Sequence, residues 1–165
     1  MRTRLVVLSD THLRPGRART LPAAARHLLH SADAVLHAGD LVHPDVLDEL
    51  ARYGPVHAVL GNNDLALVGR LPDVLALTVE GVRIALVHDS GPRAGREGRM
   101  RRRFPDADVV VFGHSHQPYD GEGLDGQRLF NPGSPTDTRG QPHPTVGVLE
   151  VHDGRLVDHR IVAVD

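Results

Sequence analysis

The stretch "RTRLVVLSDTH", residues 2–12, decides the fold, because it ends a run of β-formers on polar side chains. Leu5 to Leu8 form an unbroken apolar run, which reads as a strand at about 3–8, buried on both faces, that stops at Ser9 and Asp10. Strands of that kind belong to sheets covered by helices. Downstream, "TLPAAARHLLH" (20–30) has Pro22 near a helix start and helical apolar spacing, predicting a helix over about 21–31. "ADAVLHAGD" (32–40) supplies a second strand, "HPDVLDELARYG" (43–54) a short helix closed by Gly54, and "PVHAVLGNND" (55–64) a third strand. The alternation β-α-β-α-β calls for a parallel sheet with right-handed crossovers.

Farther along, "LPDVLALTVEGVRIALVHDS" (71–90) reads as a hairpin turning at Glu80 and Gly81, followed by an arginine-rich helix at about 94–103. "DVVVFGHSH" (108–116) gives another strand, at about 109–112. "QRLFNPGS", "TVGVLEVHDGR" and "LVDHRIVAV" read as antiparallel strands, with a hairpin turn at Asp153-Gly154. Two packed sheets with helices outside are expected, in a single domain spanning 1–165.

Composition narrows the function. Aromatics make up 3% of the chain, so the core is built from Val, Leu and Ala. All 19 basic residues are arginine, and the formal charge of -2 offers no general attraction to nucleic acid or an anionic membrane. The absence of cysteine excludes disulfides, Fe–S clusters and thiolate zinc sites. No apolar run approaches ~18 residues and no leader pattern follows Met1, so a cytoplasmic protein is expected. Histidine, at 12 residues, is frequent enough to justify a search for ligands.

That search succeeds at the strand ends. The first strand ends in Asp10 and His12, the second in Asp40, and the third in Asn62, Asn63 and Asp64. The 82–87 segment ends in His88 and Asp89, and the 109–112 strand in His114 and His116. Each motif alone says little: D-x-H and G-N-N-D are ordinary turn sequences, and H-x-H gains weight only because strand alternation points both imidazoles to one side. Their joint occurrence carries the reading, since the carboxyl ends of strands form one rim where distant residues converge. Asp10, His12, Asp40, Asn62, His88, His114 and His116 supply seven donors. One tetrahedral ion takes about four, and two ions sharing a bridging carboxylate use about this many. Oxygen and imidazole without sulfur suit Mn²⁺, placed first, or Fe, Zn²⁺, Co²⁺ or Ni²⁺. His27 and His30 read as a solvated helix face.

D-x-H, G-D, G-N-x-D, H and G-H-x-H, in this order, resemble the calcineurin-like metallophosphoesterase family. The fit is to its small bacterial and archaeal phosphodiesterase branch, which carries "NPGS" after the H-x-H strand as Asn131 to Ser134 do here. The resemblance implies an α/β fold, a four-layer α/β/β/α sandwich of two mixed sheets flanked by helices. It also implies a two-metal site: Asp10, His12 and His116 on the first metal, Asn62, His88 and His114 on the second, and Asp40 bridging them. Many relatives place a histidine after the motif asparagine, and the small branch usually has cysteine. Here that position is Asn63, whose amide cannot supply a proton. The segment after His88, commonly Gly-rich with a further histidine, is Asp89-Ser90-Gly91-Pro92.

The function expected is hydrolysis of small phosphodiesters or phosphomonoesters by a metal-bridging hydroxide, with Asp40, Asn62, Asn63 and His116 at the reaction. Asn63 in place of an acid favours diesters with good leaving groups, or proton donation by metal-bound water. Asp64 and Asp89 are the expected partners of ligand imidazoles. The run Arg93 to Arg103 reads as a solvated face ahead of an anion-steering patch, and Arg14, Arg17 and Arg19 as candidate phosphate contacts. Other readings are a protein-interaction scaffold, as in the family's retromer subunit, and last a nuclease. Nucleic acid and membrane are not expected partners; the resemblance leaves room for a homodimer, since relatives often form dimers.

Overall fold

A computed structural model describes all residues, Met1–Asp165. β1 (Thr3–Leu8), β2 (Ala34–His37) and β3 (Val56–Ala58) are joined through α1 (Ala23–Leu29) and α2 (Pro44–Ala51), the alternation expected from the sequence. The three strands pair in parallel, Leu5 opposite Ala34 and Val35 opposite Val56. Pro44 opens α2 and the His43 ring accepts the Asp45 N–H at 3.2 Å. That helix stops at Ala51, ahead of Gly54.

β4 (Val74–Val79) and β5 (Val82–Val87) form the expected hairpin. Glu80 and Gly81 both have positive φ, 49° and 80°, the two-residue turn whose twist matches paired strands. α3 (Arg96–Arg103) carries the chain over to β6 (Val109–Val111), parallel to β5. Four strands complete the chain: β7 (Tyr119–Glu122), β8 (Arg128–Asn131), β9 (Thr145–His152) and β10 (Arg155–Ala163). Their pairing corrects one expectation. β8 lies parallel to β6, because β7, which the sequence reading passed over, precedes it and reverses the chain. "YDGE" is polar and only partly buried at a sheet edge, so it carries no alternation that marks a strand.

The sheets run β10-β9-β1-β2-β3 and β4-β5-β6-β8-β7. β9 crosses from the second sheet back to the first, antiparallel to β1, so β1 has a partner on each side. Alternation along β1 splits its side chains between two cores. Val6 and Leu8 pack with Ala25, Leu29 and Leu50 beneath α1 and α2. Leu5 and Val7 meet Ile84, Leu86, Val109 and Phe130 between the sheets. A third cluster, Val110, Phe112 and Met100, lies under α3. The result is the four-layer α/β/β/α sandwich. Each buried Leu, Val or Phe contributes about 1.5–3 kcal/mol, and the cluster between the sheets holds 13 buried apolar residues, while the buried Asp10, Asp40, His88 and His116 stand beyond the strand ends. No helix is long and apolar enough to cross a membrane.

Candidate metal centre

The loops leaving β1, β2 and β3 in one sheet and β5 and β6 in the other meet at that rim. Cross-sheet hydrogen bonds fix them. The His114 N–H donates to Asp10 Oδ2 at 3.0 Å, and His88 Nδ1 lies 2.7 Å from the Ala38 carbonyl. Asp10 Oδ2 also accepts the Ser9 hydroxyl at 2.7 Å, which leaves Oδ1 turned inward. Around Oδ1 stand His116 Nε2 at 3.4 Å, His88 Nε2 at 3.8 Å and His12 Nε2 at 3.9 Å. Asp40 Oδ2 lies 3.5 Å from His12 Nε2 and 3.4 Å from His88 Nε2. Asn62 Oδ1 is 3.0 Å from His88 Nε2 and 3.2 Å from His114 Nδ1. All seven sequence-predicted donors therefore belong to one cluster.

Within it two groups have donor atoms all within 4.8 Å of one another: Asp10, His12 and His116, and Asp10, Asp40 and His88. Asp10 thus belongs to both groups, with Asp40 reaching His12 as well as His88, whereas the resemblance gave the shared position to Asp40 alone. Asp10, Asp40, His88 and His116 are buried, while His114, Asn62 and Asn63 are exposed, so the cluster opens to solvent on one side.

The donor set fits a cation. Asp10 Oδ1, His12 Nε2 and His116 Nε2 are buried without a hydrogen-bond partner, and stranding a polar group in this way ordinarily costs about 1–3 kcal/mol. These atoms point toward one another. The ring orientations agree: the Ala38 carbonyl takes the Nδ1–H of His88 and the Asp137 carbonyl, at 2.5 Å, that of His116, so each Nε2 presents a lone pair inward. The backbone is bent to the same end, with positive φ at Asp10, His12, Asp40, His114 and His116, conformations that cost of order 1–3 kcal/mol each outside glycine. Gly113 and Gly61 make the crowding feasible; a Cβ at Gly113 would stand 2.7 Å from Asp10 Oδ2, and one at Gly61 2.7 Å from Asp40 Cγ.

The electrostatics follow from burial and contact. Burial pushes the Asp40 carboxyl up, but His88 and two donors from Asn63 outweigh it and hold the group well below the usual carboxylate range. Burial pulls His88 down, yet Asp40 and Asp10 overcome it and raise its affinity for a proton. His12 is lowered by burial despite both carboxylates. Protons and cations compete for such donors.

Several sequence readings change here. His114 and His116 lie beyond β6, in a left-handed loop, and face different partners: His116 turns to Asp10, His114 to Asn62. Strand alternation is not what aims them. Asp64 accepts no imidazole; it takes the N–H groups of Asp40, Val42 and Gly61 at 2.7–2.8 Å, because the tight turns leave those donors inside with no carbonyl in reach. Asp89 comes within 4.0 Å of His114 but accepts the Gly91 N–H. Asn63 turns inward, its N–H on Asp40 Oδ1 at 2.8 Å and its Nδ2 on Oδ2 at 2.9 Å. Arg14, Arg17 and Arg19 border a separate hollow of 320 Å³ with Asp45 and Glu49. His27 and His30 are exposed, as read.

Sequence reasoning missed the supports. His37 is fully buried, pushed down to about 3 by burial and then His88, and its neutral ring bridges the Gly39 N–H and Thr11 Oγ1. Ser134 and Thr136 donate to the carbonyls of Asp10 and Thr11 at 2.8 and 2.6 Å, tying the "NPGS" loop to the D-x-H turn. The quoted "NPGS" was the only sign of that loop.

Residues 3–154 match the model of the calcineurin-like phosphoesterase superfamily domain. A probable metallophosphoesterase of Methanothermobacter thermautotrophicus is 38% identical over 94% of this chain and 90% of its own length. Another from Methanocaldococcus jannaschii is 35% identical over 89% of this chain and 75% of its own. Among solved structures, a Thermotoga maritima protein is similar with TM-score 0.73 and 30% identity, covering 98% of this chain and 99% of that one. Vacuolar protein sorting 29 of Entamoeba histolytica, solved in complex with zinc, is similar with TM-score 0.76 and 25% identity over 98% of this chain and 99% of that one. The chain belongs to the calcineurin-like phosphoesterase superfamily, a family of metallophosphoesterases.

Proposed function

We propose that this chain, acting as one domain, hydrolyses small phosphodiesters through two divalent cations, manganese first among them. The observation that carries the reading is the set of buried, partnerless atoms Asp10 Oδ1, His12 Nε2 and His116 Nε2 facing one another. Asp10, His12 and His116 would hold one cation and Asn62, His88 and His114 the other, with Asp40 between them. Bound there, the cations supply Lewis-acid neutralisation of phosphoryl oxygens and lower the pKa of a water.

The chain's own residues do the rest. The carbonyls of Ala38 and Asp137 hold His88 and His116 in the tautomer that presents Nε2. Asn63 fixes both oxygens of Asp40, so it positions that carboxylate and has no proton to give a leaving group. Diesters of acidic alcohols suit such a site. Likeness to vacuolar protein sorting 29 favours a second reading, a metal-binding interaction scaffold.

Metal analysis and hydrolysis of bis(p-nitrophenyl) phosphate against p-nitrophenyl phosphate, with Mn²⁺ and chelator arms, decide between them. The expected result is diester hydrolysis abolished by chelator and reduced more than about 100-fold in Asp40→Asn and His116→Ala, both with native circular dichroism. Full metal loading with no hydrolysis of either ester would leave the scaffold.

A further inference from the structure

The arginine run of α3 disperses on folding. Arg99 donates to the carbonyls of Ser90 and Pro92, Arg96 stacks on Phe112 at 4.7 Å, and Arg101 pairs with Asp125 at 3.0 Å. Arg103 differs. It lies against the ring of Phe104, 5.2 Å from its centroid, makes no ion pair, and stands between a 430 Å³ hollow it shares with Phe104 and a cleft of 340 Å³ whose other walls include Asn62, His88 and His114. Stacking occupies the face of a guanidinium and leaves its N–H edges free. Those edges are the part that matches a phosphate with two parallel hydrogen bonds.

The remaining charged residues of the cleft, Asp73 and Asp89, are acidic. Arg103 is therefore the one group there, apart from the donor cluster, that attracts an anion. A cleft at the lower end of the range for small-molecule sites, about 300–1,000 Å³, has room for more than one phosphoryl group.

From these observations we infer that Arg103 is a specificity-determining residue, binding a second, non-reacting phosphate on the alcohol portion of the substrate. The inference rests on the phosphodiesterase reading, and its test separates the two.

Calorimetry on the manganese-loaded protein compares thymidine 5′-phosphate with thymidine 3′,5′-bisphosphate. The wild type is expected to bind the bisphosphate about tenfold more tightly, the gain of one charge-assisted, two-pronged contact. Arg103→Ala loses this preference, Arg103→Lys keeps part of it, and Arg102→Ala, an exposed neighbour, keeps all of it. The p-nitrophenyl 5′-esters of the same two compounds should show the same ratio in KM. Equal affinity of the wild type for both ligands, or a preference that survives in Arg103→Ala, overturns the inference. Absence of hydrolysis of both esters instead overturns the phosphodiesterase reading, while the binding ratio still decides on Arg103.

Discussion

Gly61→Ala is the perturbation that separates steric crowding at the centre from every other role of that residue, because Gly61 does not have the positive φ that strains a side chain. Its added Cβ would lie 2.7 Å from Asp40 Cγ and closer still to Asp40 Oδ1 and the Asp40 backbone nitrogen. Carbon contacts settle near 3.5–4.0 Å, so the two loops must part by about 1 Å. A side-chain rotation cannot relieve a clash with the backbone. The Asp40 and Gly61 N–H groups share Asp64 Oδ2, at 2.8 and 2.7 Å, and separation lengthens at least one of these bonds. Overpacking costs about 1–3 kcal/mol and a hydrogen bond to a charged acceptor about 1.5–3 kcal/mol, so the loss is about 2.5–6 kcal/mol. For a chain of 165 residues that lowers Tm by roughly 5–24 °C. Calorimetric melting with and without Mn²⁺ is the assay. Wild type gains about 2.7 kcal/mol at a hundredfold excess over Kd, and the variant, with Asp40 displaced, loses that gain. A variant melting within about 2 °C of wild type with its manganese increment intact would refute the reasoning.

Two further outcomes follow from the same structure. Gly98→Ala, inside α3, meets only the far end of the Arg102 side chain, so it should stabilise the protein by up to about 1 kcal/mol and raise Tm by about 2–4 °C. Glu150 is held below the ordinary value of 4.5, against burial, by Arg4 at 2.8 Å and Arg2 at 2.5 Å. A depressed acid stabilises above its unfolded pKa and loses that contribution as pH falls through its folded pKa. Glu150→Gln should therefore cost about 1 kcal/mol at pH 7, discounted for the exposed arginines, and narrow its gap to wild type in melts below pH 4.5.

The strands and the donor set were legible because both are written locally: apolar runs mark β1, β2 and β5, and a donor just after a strand must stand at the rim. Ion-binding geometry was less so. The division of His114 from His116 depends on left-handed turns past Val111, which no periodicity signals. Asn63 was read for the proton it lacks, while its position is set by Asp40, a contact across 23 residues. Asp137 and Ala38 act through backbone carbonyls, which every residue carries, so nothing in their identity marks them. Arg103 looks like its neighbours in the sequence, and only the folded chain places it beside Phe104 and at the cleft holding Asn62, His88 and His114.

The strand order has a cost in time. β1 is the first strand synthesised, yet one of its flanks is closed only by Gly147 to Val151 of β9. At translation rates of about 5–20 residues per second, that flank stays bare for on the order of ten seconds, displaying amides and carbonyls that any extended neighbour on a polysome can capture. Nascent chains of this protein are thus most vulnerable before their last quarter emerges, and slower, cooler expression protects them by thinning the neighbours.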